Sequence, residues 1–446
     1  MWNVFELGSW SCDFESMSVV KPYDLVSLLQ DAVQHGCPES VKLLLDYGSL
    51  VVDSTVWVCH SNETKGRIVF DPFIARRKHL LELARTMLPE YSQEELRLER
   101  DLLPDSNAGE IHTQLTQHNI LVPSSLQPYI YTCYHVASVF HGPTLSVDDM
   151  EFLYTAGFRD IDVPDSNGYT PIGRVNLVSL SEHSFEEYIE RLQWFVGKGV
   201  TLHSPPTITG SVPSHHISRN ITYLLLQTSL LTPETSIEGP HCLWSKSIGT
   251  HNRDLIGLVY GSGHKDNCSC SCSMAGCTPV SMALRVIFGG PWDYDPTCRR
   301  KPKENGFFLQ QFILGIPSFA AAAHDVLRFI TFTDLGLTHT CCRFNWNVNR
   351  IEDVPFDGEE AAEIQDEERL LFVDLEGLFE DIIREYDQLR IPLLEYIRTR
   401  WCRRVREYLW KNGEKIDSQS LCNYLDPDFA RQWDACAIPT QSISWV

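Results

Sequence analysis

The chain has 446 residues, with 37 lysines and arginines against 59 aspartates and glutamates, a formal net charge of −22. That balance argues against electrostatic attachment to nucleic acid or to an anionic membrane. A hydrophobic content of 43% beside 22% charged residues excludes wholesale disorder and supplies apolar mass for a sizeable core.

The first residues, MWNVFELG from Met1, contain no basic segment leading into an apolar one, so no secretory signal is read there. Fifteen cysteines, an odd number without an export signal, fit a reducing compartment, and a cytoplasmic or nuclear location is expected. The one long stretch without formal charge, Asn305 to His324, is broken by Gln310, Gln311 and Pro317 and is read as buried core, with no membrane span expected.

In chain order, the first patterned segment is LLQDAVQHGCPESVKLLLDYGS, from Leu28 to Ser49. Leu28, Leu29, Ala32 and Val33 recur at helical spacing, as do Val41, Leu44 and Leu45, which predicts two helices joined at Gly36 and Pro38. Glycine ends a helix in a left-handed conformation and proline suits a helix start, so Gly36 and Gly48 close the two helices and Pro38 opens the second. A second segment begins at Phe152 and reaches the turn Asp165-Ser-Asn-Gly168-Tyr-Thr170-Pro171-Ile172. There Gly168 supplies backbone angles closed to other residues, and Thr170 and Pro171 are placed to begin a helix. Leu192, Phe195 and Val196 form a further helical stripe that ends at Gly199.

These residues resemble the ankyrin repeat. Ala32, Gly36, Glu39, Val41, Leu44, Leu45 and Gly48 follow its helical half, and Asp165 to Ile172 follows its turn half. Phe73 to Leu88 is a weaker third match, and Leu192 to Val200 is an outer helix belonging with Asp165. Between Gly168 and Gly199 the spacing is near the repeat period of about 33 residues. The inner helix expected from Gly173 to Ser184 lacks the usual alanine and glycine positions, and Asn62 to Phe70 and Ser204 to Ser218 read as irregular insertions. Over most of its length the chain resembles the degenerate ankyrin-repeat proteins of filamentous fungi, through Cys268-Ser-Cys270-Ser-Cys272 with Cys277, Gly336-Leu-Thr-His339-Thr-Cys341-Cys342 and the acidic run from Asp357. The resemblance implies a fold and a habit of protein binding, with no activity attached. In ankyrin proteins the turn tips contact partners, which places Asp160, Asp162, Asp165, Asn167 and Tyr169 at a candidate contact edge.

Cys268, Cys270, Cys272 and Cys277 are a candidate zinc cluster, since zinc takes four soft ligands and braces a segment too polar to pack by itself. Residues two apart on a strand lie about 6.5–7 Å from each other, so one ion could gather the close cysteines only where the backbone bends. His339, Cys341 and Cys342 are a second source of ligands. Reduced structural cysteines in a Gly- and Ser-rich loop, or thiols that sense oxidation, fit the same residues.

Towards the C-terminus, Leu371, Leu375, Leu378, Ile382, Tyr386 and Leu389 predict a helix, and Pro392 starts another through Leu394, Ile397, Trp401, Val405 and Tyr408. Thirteen carboxylates and two arginines lie between Asp357 and Asp387, followed by Arg398, Arg400, Arg403, Arg404 and Arg406. Most of these charges are read as solvated helix faces, the alternative being that opposite charges dock the two helices. No phosphate-binding glycine loop, zinc-protease helix, nucleophile elbow or dinucleotide fingerprint occurs, and His215-His216 and His241-Cys242 are read as satisfied or exposed side chains.

The expected protein is mainly α: an irregular ankyrin-type helical repeat array with a Cys-rich insert and a C-terminal helical region. Its segments are 1–100 and 101–245 for the repeats, 246–300 for the insert and 301–446 for the C-terminal helices. The expected function is a noncatalytic scaffold for protein partners of neutral or basic surface. The alternative is a zinc-binding or redox-sensitive regulator or enzyme that uses the 268–277 cysteines.

Overall fold

The computed structural model of the protein describes residues 22–35, 37–52, 55–56, 63–98, 102–126, 138–142, 145–165, 168–173, 185–202, 213–231, 253–261, 265–266, 270, 276–289, 302–315, 319–340, 343–347, 350–354 and 358–413. Two compact units divide at Asp160 and Ile161, a coarser partition than the four segments read from sequence.

The first unit begins with the expected helical pair, α1 (Pro22–Gln34) and α2 (Pro38–Asp46), which pack on each other. Pro38 opens α2, where its missing N–H costs nothing. Gly48 closes the helix at φ +86°. Leu29, Val33 and Val41 are buried, whereas Leu28 faces solvent and narrows the expected apolar stripe. Gly36 lies outside the described residues.

Helix α3 (Glu63–Met87) corrects the reading of Asn62 to Phe70 as irregular, because 63–70 and all but the last residue of the Phe73 to Leu88 segment belong to one helix of 25 residues running through Pro72. An interior proline costs about 3 kcal/mol through a lost hydrogen bond and a carbonyl clash. Burial of Val69, Phe70 and Phe73 on either side offsets it, since each such side chain contributes about 1.5–3 kcal/mol. Phe70 stacks on Phe152 and Phe73 on Phe158, tying α3 to α6 (Val147–Ala156). Between them in sequence come α4 (Glu90–Glu95) and α5 (Ala108–Gln117).

One turn closes four helices of this unit. After α2, α4, α5 and α6 the chain passes through a residue of positive φ, respectively Gly48, Arg97, Asn119 and Gly157. Its N–H bonds three residues back, and the next N–H bonds five back, as in Leu98 to Gln93 and Phe158 to Leu153. This double bond satisfies carbonyls that the helix leaves open. It also turns Ser49, Leu98 and Phe158 into the interior.

The second unit repeats that ending after α7 (Phe185–Gly197), at Gly199, and after α12 (Phe319–Asp334), at Gly336. The Gly199 stop and the buried Leu192 and Phe195 are as expected. At Asp165 part of the expected turn is present: Gly168 has φ +82°, and the Asp165 carboxylate accepts the Tyr169 N–H at 2.9 Å, but the Thr170 hydroxyl, expected to cap a helix, makes no hydrogen bond among the described residues. The inner helix expected to Ser184 lies, apart from Gly173, outside the described residues.

Helix α8 (Pro213–Leu231) corrects the end of the Ser204 to Ser218 insertion, because Pro213 starts a helix whose residues Ser214 to Asn220 are buried. It packs on α9 (Arg253–Gly261) and α10 (Pro279–Gly289). Those two helices fall within the expected Cys-rich insert, yet Ile256, Val259, Ala283, Leu284 and Ile287 bury fully, so the segment builds core. Asn305 to His324 spans α11 (Pro302–Gly315) and the start of α12, with Leu309, Phe312 and Ala323 buried as expected. Among the described residues no helix is long and apolar enough to cross a membrane.

An antiparallel hairpin, β1 (Arg343–Asn347) and β2 (Arg350–Val354), interrupts the expected all-helical C-terminal region and pairs Phe344 with Asp353 and Trp346 with Ile351. The cause is local: apolar residues alternate with polar ones at Phe344 and Trp346, a period of two that no helix can place on one face. Helices α13 (Gly358–Glu367), α14 (Arg369–Leu389), α15 (Leu393–Tyr396) and α16 (Cys402–Lys411) follow, with a π-turn at Ile397–Trp401 between the last two. The protein is mainly α.

Candidate functional site

The cysteine and histidine candidates lie in the second unit. Cys268, Cys272, Cys341 and Cys342 lie outside the described residues. Cys270 and His339, 69 positions apart, meet with Sγ and Nδ1 at 3.9 Å. The turn at Gly336 produces this contact: Leu337 bonds back to Phe332, and His339 returns along α12 to stack on Phe329 at 4.6 Å. Cys270 is buried and His339 half-buried. Cys277 has a different place. Its N–H donates to the Asp266 carboxylate at 2.6 Å, and its carbonyl accepts the Asp266 N–H at 3.1 Å. Among the described residues no three cysteine, histidine or acidic side chains gather as a metal would need, so Cys277 does not complete a set with Cys270 and His339.

Gly276 makes the Asp266–Cys277 pairing possible. It sits at φ +101°, and a Cβ there would lie 1.9 Å from the Asp266 carbonyl oxygen. Asp266 then reaches His215 with its other oxygen, 3.5 Å from Nδ1, both side chains being almost wholly buried.

Around His215 lies a polar core that sequence reading passed over. The run SHHISRN of α8 points inward together with Tyr188, Arg191, Tyr260, Thr278 and Ser281. The Tyr260 hydroxyl lies 3.1 Å from Thr222 Oγ1 and donates to the Ser218 carbonyl at 3.2 Å. Burial pushes Tyr260 up to about 12, against the pull of those two hydrogen bonds. Burial also raises Tyr188 and draws the Arg191 guanidinium down to about 10, which leaves it charged at neutral pH. Ser218 donates to the Pro279 carbonyl, and Thr278 caps α10 by accepting the Ser281 N–H. Ser218, Thr222, Tyr260, Thr278 and Ser281 are each held by a neighbour, whereas the buried Ser214 hydroxyl makes no hydrogen bond among the described residues. The available signal was compositional: seven residues with one apolar member, entered through Pro213, read as a loop by polarity alone.

The expected contact edge divides by role. Asp160 accepts both the backbone N–H and the hydroxyl of Ser106, and Asp165 is buried within its own turn. Asp162 is exposed, Tyr169 is half-buried with its ring edge on His216 at 4.9 Å, and Asn167 lies outside the described residues.

No family model matches this chain, and no curated protein matches it.

Proposed function

We propose that the protein is a noncatalytic scaffold that recognises other proteins through an irregular, ankyrin-like helical array. The observation that supports this reading is the recurrent ending of α2, α4, α5 and α6, which stops successive helices with the same positive-φ turn and buries the side chain after it in three of the four. Helices stopped in this way are the units from which repeat arrays are built, each unable to cover its apolar stripe alone. With a net charge of −22 the partner is one of neutral or basic surface, drawn in by a field that salt screens.

Native mass spectrometry of the protein taken from its own cells tests the proposal. A protein partner at fixed stoichiometry, released by added salt or by Asp162→Lys, is the expected result. A bare monomer at every salt concentration would remove the reading. The second reading, a metal- or redox-dependent regulator, draws on the meeting of Cys270 with His339. A bound metal together with an enzymatic activity, both lost on Cys270→Ser, would favour it over the scaffold.

A further inference from the structure

Gly377 stands in the middle of α14, where glycine is the poorest helix former after proline. The chain's own packing does not require it, because a Cβ there would meet nothing within 4 Å. Glycine in such a place suits close approach by a group from outside the chain. It follows Leu370 and Val373 by seven and four positions, so the three share one face of the helix. Both apolar side chains face water, 78% and 60% exposed, with Asp374 and Asp381 exposed beside them. Helix α16 carries a face of the opposite charge. Its Trp410 is 87% exposed and stands between Arg403, seven positions earlier, and Lys411, both exposed cations. Arg404 pairs with Glu385, and Tyr408 packs on the cluster that contains Leu375. Helix α16 therefore runs antiparallel beside α14, and Trp410, two residues past Tyr408, comes level with the turns around Gly377.

We infer that the chain pairs with a second copy of itself through α14 and α16, the Trp410 indole of each copy seated against Gly377 of the other. A two-fold interface uses one patch twice, so the patch must complement itself. This one does. Rotation about an axis parallel to the two helices sets the acidic α14 of one copy opposite the basic α16 of the other, and the reverse, and leaves the level of every residue along the axis unchanged. Trp410 then arrives at the level of Gly377, Arg403 at that of Asp381 and Lys411 at that of Asp374. The four helices form an antiparallel bundle with neighbouring axes about 8–10 Å apart, a spacing at which a missing Cβ makes room for an indole. Within one chain Arg403 is shared between Glu385 and Glu407, and Asp381 holds Arg384, surface pairs that a partner's charge joins at small cost. At about 0.15 M salt the Debye length is about 8 Å, so the net charge of −22 on each copy is screened beyond the contact and the local opposite charges decide. Two helix faces make a small interface, and the pairing is reversible and concentration-dependent. This inference stands apart from the scaffold reading, which rests on the helix endings of the first unit.

Sedimentation velocity of the full chain, across a wide range of concentration at about 0.15 M salt, tests this. A reversible equilibrium between monomer and dimer is the expected result. Trp410→Ala is expected to weaken it by about tenfold or more, while the urea midpoint of the monomer, measured at low concentration, stays where it was. Gly377→Ala separates pairing from folding. Alanine improves the helix and raises the monomer's urea midpoint, whereas its methyl group obstructs the partner and weakens dimerisation by about tenfold or more. Charge reversal reads the reciprocal geometry. A chain with Asp374→Lys and Asp381→Lys, and another with Arg403→Glu and Lys411→Glu, are each expected to be monomeric alone. Their equimolar mixture puts opposite charges back at both contacts and is expected to restore the dimer. A wild-type chain that is monomeric at every concentration overturns the proposal and leaves the acidic face to a basic partner of another kind. A dimer indifferent to Trp410→Ala and Gly377→Ala, or reversed chains that stay monomeric when mixed, overturns it as well.

Discussion

Two glycines with positive φ separate backbone strain from steric conflict. Gly48 has φ +86° with nothing near the place of a Cβ, so Gly48→Ala meets only the left-handed penalty of about 1–2 kcal/mol. Gly276 combines φ +101° with the Asp266 backbone against that place, and Gly276→Ala is expected to cost about 3 kcal/mol or more, because backbone cannot step aside as a side-chain tip can. Urea denaturation of both variants checks the order. The Gly48 stop was readable from sequence, because it follows an apolar helical stripe. The Gly276 conflict was not, since its partner lies ten positions away and is brought close only by the paired bonds of Asp266 and Cys277.

Asp325 gives a pH prediction at the same scale. Burial holds its carboxyl above the ordinary value of 3.8, opposed by the Thr278 hydroxyl and by the charges of Lys265, His324 and Arg328. A carboxyl raised on folding binds more proton folded than unfolded, so its contribution favours folding at low pH and is lost as pH rises above 3.8 through the folded value. Asp325→Asn keeps an acceptor for Thr278, which donates at 3.0 Å. Stability measured against pH is expected to show the variant gaining on the wild type as pH increases across that window. A constant difference would count against this assignment.

At the scale of elements, the C-terminal helices show where periodicity stops being sufficient. Leu375 and Ile382 of α14 are buried as the stripe requires, and Leu371 and Leu378 are half-buried. Beyond Pro392 the expected Leu394 and Tyr408 are only half-buried, whereas Leu393, Tyr396, Ile397, Trp401, Cys402, Val405 and Leu409 are buried. The π-turn at Ile397–Trp401 explains the change, because one extra residue per turn advances the buried face. That face carries the Trp401 indole to Thr331 Oγ1 at 2.7 Å and the Tyr396 hydroxyl to the Ile382 carbonyl at 2.8 Å. Trp401→Phe removes the donor and leaves a gap, and a loss of about 2 kcal/mol is expected in chemical denaturation.

The charges follow both readings, by position. Glu385 receives Arg404 at 2.7 Å and Arg403 at 3.6 Å, and the guanidinium of Arg404 is raised first by its hydrogen bond to Glu385. Arg328 of α12 forms an ion pair with Glu376 of α14 and lies over the rings of Phe332 and Phe379. Many of the carboxylates face water as solvated helix surface, among them Glu359, Glu380 and Asp381. Glu376→Ala strands a mostly buried guanidinium and is expected to cost about 2–3 kcal/mol, whereas Glu380→Ala is expected to change stability by less than about 0.5 kcal/mol.

For the whole molecule, 22 uncompensated negative charges repel one another in the folded state more than in the expanded chain. Added salt shortens that repulsion, with a Debye length of about 10 Å at 0.1 M. The thermal midpoint is expected to rise from low salt to about 0.5 M and then level off, which calorimetry at several ionic strengths would measure; a fall would mean that specific ion pairs outweigh the net repulsion.

The sequence by itself determined what local chemistry can fix: the helical class, the stops at Gly48 and Gly199, the opening of α2 at Pro38 and the turn held by Asp165 and Gly168. Each depends on a few neighbouring residues whose backbone preferences agree. It left open every choice that depends on a distant partner. Pro72 remains inside a helix because Phe152 and Phe158 pack on the phenylalanines around it, a gain invisible to a rule about proline. The polar run from Ser214 enters the core where Tyr260 and Pro279 hydrogen-bond Ser218 and the Asp266 carboxylate lies 3.5 Å from His215 Nδ1. Cys270 and His339 were legible as two separate metal-like words, and only the Gly336 reversal and the stack of His339 on Phe329 bring Nδ1 to 3.9 Å from the Cys270 sulfur. Tertiary structure decided these points because hydrogen-bond partners and excluded water are properties of space, and sequence distance carries neither.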